Sequence, residues 1–172
     1  LSSSRMVGRR NEQEWAERRI ARVLAGNGTQ VVLEGAPGMG KTRLLHEIGL
    51  QGQLKGLLVT KSDAQAAPSP FGVACQLALG LLDVAPAIAQ GSAEEYAGLL
   101  AHLSPQLRAR LHDPPREALS VDPGERRMRF QTALHDWFRR VARERPLLIA
   151  VDNVQAADSN SVAFLTALGR EA

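Results

Sequence analysis

Apolar residues recur along the chain with two different periods, which predict alternating strands and helices. Three short apolar runs predict buried strands, and they cover residues 31–33, 57–60 and 147–151. Five segments place apolar residues at helical spacing, and they begin near residues 11, 41, 70, 122 and 159. The alternation predicts an α/β fold with three layers and a parallel sheet.

Capping residues predict the ends of the first and third helices. Asn11 with Glu14 three residues later forms a capping-box pattern, and Gly26 predicts the end of the same helix. Ser69 before Pro70 predicts the start of the third helix. The repeated apolar positions of that helix are Val73, Leu77 and Leu81.

Residues 84–122 have the least regular pattern in the chain. Ser92 with Glu95 predicts one capped helix, and Ser104 with Pro105 predicts a second, shorter one. We expect this region to be a helical insertion between core elements.

The helix that Asp122 opens carries both a core-facing stripe and many arginines. Its predicted buried residues are Phe130, Leu134, Trp137, Phe138 and Val141. Most of its arginines fall on other faces, which favours a solvated helix surface over an anion site.

Length and charge narrow the class of protein. A chain of 172 residues fits one domain with its own core. Its net charge of +3 is spread among acids and bases, so no direct nucleic-acid contact is expected from this segment. With no signal peptide and no apolar run of about 18 residues, we expect a cytoplasmic protein without membrane contact. The lone Cys75 fits a small core residue.

The two ends of the sequence predict a part of something longer. The first residue is Leu1 rather than methionine, and the last predicted helix, 159–170, runs to the end of the chain. We therefore expect the N-terminal part of a larger module, whose later strands follow residue 172.

Residues 35–42 match the phosphate-binding pattern G-x-x-x-x-G-K-[ST] without a mismatch. A predicted strand comes before the motif and a predicted helix after it, as phosphate binding requires. Glycines allow the backbone N–H groups to approach phosphate oxygens, while Lys41 would neutralise the β- and γ-phosphates and Thr42 would bind Mg²⁺. The predicted nucleotide-binding residues of this stretch are Gly35, Ala36, Pro37, Gly38, Met39, Gly40, Lys41, Thr42 and Arg43.

Asp152 ends the third predicted strand and supplies a second motif. A carboxylate at the carboxyl end of a core strand can reach the Mg²⁺ shell opposite Thr42. The competing interpretation is an aspartate that caps the next helix. The position of Asp152 after five apolar residues favours the metal role.

Four segments together resemble the ATPase module of the STAND class of AAA+-related NTPases, especially that of large LuxR-type bacterial transcriptional regulators. They are 6–9, 35–45, 70–73 and 146–158. The resemblance implies an ATP/ADP-binding switch with Mg²⁺, attached to other domains of the same larger protein. It also implies that Val7, Gly8 and Arg9 lie near the adenine. The resemblance does not decide whether the protein self-associates.

One departure from that family concerns catalysis. The family usually has a second acid after the Mg²⁺ aspartate, and this chain has Asn153. An amide can orient a water molecule but does not accept its proton at neutral pH. The sequence therefore predicts nucleotide binding with slow hydrolysis or none.

Two other classes of function fit parts of the same pattern. A small-molecule kinase also begins with this loop, but its phosphate-loop strand pairs directly with the Mg²⁺ strand. Pairing of 30–34 with 147–151 would favour that class, whereas the favoured family leaves a gap there in this chain. A non-enzymatic interaction module with a vestigial site is the other alternative, which Asn153 supports and Lys41 opposes.

Overall fold

A computed structural model describes residues 10–115 and 117–171 of the chain. Its two strands are β1 (Leu58–Asp63) and β2 (Leu147–Asp152), which pair in parallel. The α-helices are α1 (Arg10–Leu24), α2 (Lys41–Leu54), α3 (Gly72–Val84), α4 (Pro86–Ala93), α5 (Ala97–Leu100), α6 (Pro105–Arg110), α7 (Pro123–Glu144) and α8 (Ser159–Arg170). Short 3₁₀ turns lie at Ala64–Ala66, Glu94–Tyr96 and Val154–Ala156.

The sheet lies between two helical layers. Successive side chains of a strand point to opposite faces, so neighbours in β1 join different clusters. Val59 packs with Ile20 of α1 and with Leu148 of β2 on one face. Leu58 packs into the larger cluster, which α3, α7 and α8 cover on the other face. The predicted three-layer α/β fold with a parallel sheet is therefore confirmed.

The larger cluster is built around the aromatic residues of α7. Trp137 is fully buried, and its Nε1–H donates a hydrogen bond of 2.8 Å to the carbonyl oxygen of Ala89. Phe138 packs edge to face against Phe164 of α8, with ring centroids 5.0 Å apart. The residues of the predicted buried face of α7 are all buried. Each such side chain contributes about 1.5–3 kcal/mol relative to an exposed one.

The predicted helical insertion corresponds to α4, α5 and α6. These helices lie between α3 and α7 in sequence, and Leu100 and Leu107 are buried in the same cluster as α7. Ser104 caps α6 as predicted, because its Oγ accepts the N–H of Leu107 at 3.0 Å. The helices share one core with the rest of the fold.

Three predicted helix starts are wrong. Asn11 lies inside α1 rather than before it. Ser92 lies inside α4, where it is buried and contacts Glu144 instead of capping a helix. The third helix begins at Gly72, three residues after Ser69, because residues 69–72 form a turn closed by the Gly72 N–H and the Ser69 carbonyl. At Ser92 a tertiary contact, and at Ser69 a turn, overrides the local capping pattern.

The predicted strand at 31–33 does not form a strand in the described part of the chain. Val31 and Val32 are 41% and 65% exposed. A strand needs a neighbour for its N–H and C=O groups, and β1 and β2 pair with each other instead of with this segment. The direct pairing with β2 that would favour a kinase is not seen among the described residues.

Cys75 is buried in α3, as predicted. Burial, and secondarily the negative charge of Asp158, raise the pKa of its thiol to about 11. The thiol is therefore protonated at neutral pH and unreactive. Within residues 10–115 and 117–171, no helix combines the length and apolar character needed to cross a membrane.

Candidate functional site

The loop at residues 35–40 leads directly into α2. Gly38 and Gly40 have φ angles of 78° and 75°, in the left-handed region that favours glycine. Gly40 immediately precedes α2, so its conformation sets the direction in which the chain enters the helix. A side chain at either glycine would strain this turn.

Lys41, the first residue of α2, folds its side chain back over the loop. Its Nζ donates hydrogen bonds of 2.7 Å to the carbonyl oxygen of Gly35 and 3.0 Å to that of Ala36. The ammonium group thus joins the start of the loop to the start of the helix. It places a positive charge at a helix N-terminus, where the helix dipole also favours anions.

The remaining residues of the predicted loop lie at the surface. Thr42 and Arg43 are exposed in the first turn of α2, and Met39 is 57% exposed. Val7, Gly8 and Arg9, predicted at the adenine end, lie outside the described residues.

The direction of α2 follows from two glycines that lie against the sheet. A Cβ on Gly52 would lie 3.2 Å from Leu148 Cδ1, near the beginning of β2. A Cβ on Gly49 would lie 2.7 Å from Lys61 Cε, farther along β1. Toward its N-terminus, α2 therefore advances toward the carboxyl ends of the strands. Lys41 and Thr42 lie at the end of α2 that is directed toward the Asp152 end of β2.

Asp152 ends β2 opposite Asp63, the last residue of β1. One carboxylate oxygen of Asp152, Oδ1, accepts the N–H of Asn153 at 2.9 Å. Asn153 has a left-handed φ of 52°, which asparagine tolerates better than most residues. Its side-chain Nδ2 donates a hydrogen bond of 2.8 Å to Asp63 Oδ1. The last residues of both strands, Asp63 and Asp152, thus meet the amide of Asn153 at one edge of the sheet.

A comparison with models of protein families identifies the family of this chain. A family model described as an AAA ATPase domain matches residues 5–172. The chain belongs to the AAA ATPase domain family. Comparisons with curated proteins and with solved structures gave no match.

Asp63 lies beside Asn153 and opposite Asp152 in this AAA ATPase domain, although no sequence motif predicts it at the site. The second strand was predicted to end at Thr60, which put Asp63 in the following loop. The strand continues to Asp63, with Ser62 buried between the exposed Lys61 and Asp63. Residues 60–63 are all polar, so no apolar pattern extended the predicted strand. Asp63 Oδ1 also accepts the N–H of Gln65 at 3.0 Å, which starts the 3₁₀ turn at Ala64–Ala66.

Asp158 caps α8 and also holds the start of α3. Its Oδ1 accepts the N–H groups of Asn160 and Ser161, both at 3.1 Å, and that of Phe71 at 2.9 Å. Burial alone would raise the pKa of Asp158, but the hydrogen bonds from Ser161, Phe71 and Asn160 outweigh it and hold the pKa below its usual value. Asp158 therefore links two helices in addition to capping α8.

Proposed function

We propose that this AAA ATPase domain binds ATP or ADP with Mg²⁺ and acts as a nucleotide-dependent switch in a larger protein, with slow ATP hydrolysis or none. The observation that carries the proposal is the position of Lys41. Its ammonium group lies over a glycine-rich loop at the start of α2, and the helix directs that end toward the Asp152 edge of the sheet.

The chemistry of the loop fits a polyphosphate. Lys41 holds carbonyl oxygens of Gly35 and Ala36, and it can exchange these neutral acceptors for the more strongly charged oxygens of a β- or γ-phosphate. The first turn of α2 adds backbone N–H groups and the positive end of the helix dipole. We assign phosphate binding to residues 35–43 and adenine binding to Val7, Gly8 and Arg9.

The oxygen donors at this end of the fold fit Mg²⁺. Thr42 offers a hydroxyl and Asp152 a carboxylate, and Mg²⁺ takes such oxygen ligands together with water and phosphate oxygens. We assign Thr42 as a direct ligand and Asp152 as a ligand through water. When bound, Mg²⁺ would neutralise charge on the β- and γ-phosphates.

Asn153 supports slow turnover. The residue after the Mg²⁺ aspartate would lie near the attacking water, and an amide there can orient that water without removing its proton. Steady-state measurement of phosphate release checks this point. Fast turnover by the unmodified chain would contradict it.

The resemblance to STAND-class modules supports the wider role. Segments 6–9, 70–73 and 146–158 carry that resemblance, and the preference for ATP over GTP rests on it. We propose that nucleotide occupancy sets the arrangement of attached domains in a signalling or transcription-regulating protein. Sequencing the coding region beyond residue 172 and finding a helix-turn-helix would support a transcriptional regulator.

Titration with a fluorescent ATP analogue tests the binding proposal directly. Lys41→Ala should weaken binding by about tenfold or more, because it removes the charge that faces the phosphates. Lys55→Ala is the matched control, since Lys55 is an exposed lysine at the opposite end of the same helix. Equal affinities for the two variants would contradict the proposal, as would absence of binding by the unmodified chain.

A further inference from the structure

Asp63 and Asn153 form a side-chain contact between the ends of neighbouring strands. Asn153 Nδ2 lies 2.8 Å from Asp63 Oδ1, although the two residues are 90 positions apart in sequence. The parallel register brings them together, because Asp63 is opposite Asp152 and Asn153 follows directly. The contact therefore depends on the pairing of β1 with β2 at the edge of the sheet that the proposed site uses.

The carboxylate of Asp63 determines how the side-chain amide of Asn153 is oriented. An ionised carboxylate can accept hydrogen bonds but cannot donate them. The amide of Asn153 must therefore turn its NH₂ group toward Asp63, which directs its carbonyl oxygen away from that carboxylate. A neutral partner that can both donate and accept would allow either orientation.

The backbone of Asn153 is held as well. Its N–H donates to Asp152 Oδ1 at 2.9 Å, and its carbonyl oxygen accepts the N–H of Ala156 at 2.8 Å. Its left-handed φ of 52° is maintained between these two bonds. With both the backbone and the NH₂ group fixed, the carbonyl oxygen of the side chain becomes an acceptor in one defined position.

We infer that Asp63 is a positioning residue for hydrolysis: it orients the Asn153 amide so that the amide oxygen accepts a hydrogen bond from the water that attacks the γ-phosphate. This inference rests on the proposed function and specifies how the slow reaction is supported. The water oxygen forms the bond to the γ-phosphorus while the bond from that phosphorus to the β–γ bridging oxygen breaks. ADP leaves with that electron pair, and the proton of the water ends on the released phosphate.

Asp63→Asn is the most direct test, because it keeps size and shape while removing the acceptor-only character of the carboxylate. Asp63 Oδ1 accepts both the Gln65 N–H and the Asn153 Nδ2–H, so an asparagine at 63 that keeps the cap of the 3₁₀ turn presents a neutral oxygen to both donors. The bond that orients Asn153 then loses its charge and weakens. We expect the single-turnover rate of ATP hydrolysis to fall by about tenfold, with the dissociation constant for the fluorescent ATP analogue within about twofold of the unmodified chain. Asp83→Asn, at an exposed aspartate that pairs with Arg110, is the matched control and should leave both values unchanged.

The reversed pair, Asp63→Asn with Asn153→Asp, provides the second test. It keeps one carboxylate, one amide and the hydrogen bond between them, and it places the carboxylate at position 153 beside the water. Its turnover should equal or exceed that of the unmodified chain. Asn153→Asp alone should do worse than the reversed pair, because two carboxylates would then compete at hydrogen-bonding distance.

The outcomes separate the inference from the proposed function. If the unmodified chain binds no nucleotide, the proposed function fails. If it binds nucleotide but releases no phosphate, or if Asp63→Asn turns over as fast as the unmodified chain, the inference alone fails. Loss of binding or of thermal stability in parallel with turnover would make Asp63 a structural residue and overturn the inference. Should Asp63→Asn not fold, a folded reversed pair that binds but turns over more slowly than the unmodified chain would also overturn it.

Discussion

The hydroxyl of Thr60 in β1 donates a hydrogen bond of 2.8 Å to the carbonyl oxygen of Leu77 in α3. Thr60 is 1% exposed, so the hydroxyl has no access to solvent. The bond joins the sheet to the helix that covers it, on the face that contains the larger core.

Thr60→Val should lower the free energy of unfolding by about 1–2 kcal/mol, because it keeps the side-chain shape and removes a buried hydrogen bond. Urea denaturation measures this change. Thr166→Val is the matched control, since the Thr166 hydroxyl makes a bond of the same length to a helix carbonyl but is exposed on α8. An equal effect at both positions would mean that burial does not matter here.

Gly80→Ala should destabilise the fold by about 1–3 kcal/mol through overpacking. A Cβ at Gly80 would lie 2.4 Å from Thr60 Oγ1, so α3 would have to move away from β1. Gly91→Ala provides the comparison, because a Cβ there meets nothing within 4 Å. That variant should be stabilised by about 0.5–1 kcal/mol through helix propensity, as thermal unfolding would show. Destabilisation of both to the same extent would contradict the prediction.

Asp158 should make stability depend on acid pH. Its folded pKa is lowered, so its contribution is present above the unfolded pKa of about 3.9 and is lost as pH falls through the folded value. Asp158→Asn should make the loss of stability below about pH 4 shallower, as measured by denaturation at several pH values. Asp122→Asn, at an exposed cap whose pKa the N–H groups of Glu125 and Gly124 lower, should act in the same direction but more weakly. An unchanged acid dependence in Asp158→Asn would contradict this account.

Asp152→Asn should remove the effect of Mg²⁺ on nucleotide affinity while leaving the affinity without Mg²⁺ nearly unchanged. The reason is that the amide lacks the charge that holds the hydrated ion, whereas Lys41 still faces the phosphates. Titration of the fluorescent ATP analogue with and without Mg²⁺ measures both quantities. Asp113→Asn, at an exposed aspartate paired with Arg108, should keep the full Mg²⁺ effect. A normal Mg²⁺ effect in Asp152→Asn would remove Asp152 from the metal site.

Local sequence patterns predicted the elements whose stability comes from nearby residues. Asp122 and Ser104 cap the helices that they were predicted to begin, and the apolar stripe of α7 is buried. The glycine-rich loop could also be predicted from the sequence, because its glycines and Lys41 act through the backbone of the same short segment.

Contacts between distant segments could not be predicted from local sequence patterns. Whether residues 31–33 form a strand depends on a pairing strand elsewhere in the chain, and a local hydrophobic pattern does not show whether that strand is present. The contact between Asn153 and Asp63 depends on the register of two strands, and no local pattern around Asp63 relates it to β2. The start of α3 depends on Phe71, whose φ of 59° is unusual for an aromatic residue and whose N–H is held by Asp158.

The hydrogen bond between Phe71 and Asp158 connects the start of α3 to the start of α8. One carboxylate oxygen is shared by N–H groups at the beginnings of α3 and α8, so the two helices cannot separate there without breaking a charged bond. A shift of the segment that joins β2 to α8 would pull on α3 and, through it, on the helices packed behind. The first turns of these two helices are therefore coupled through a single carboxylate oxygen.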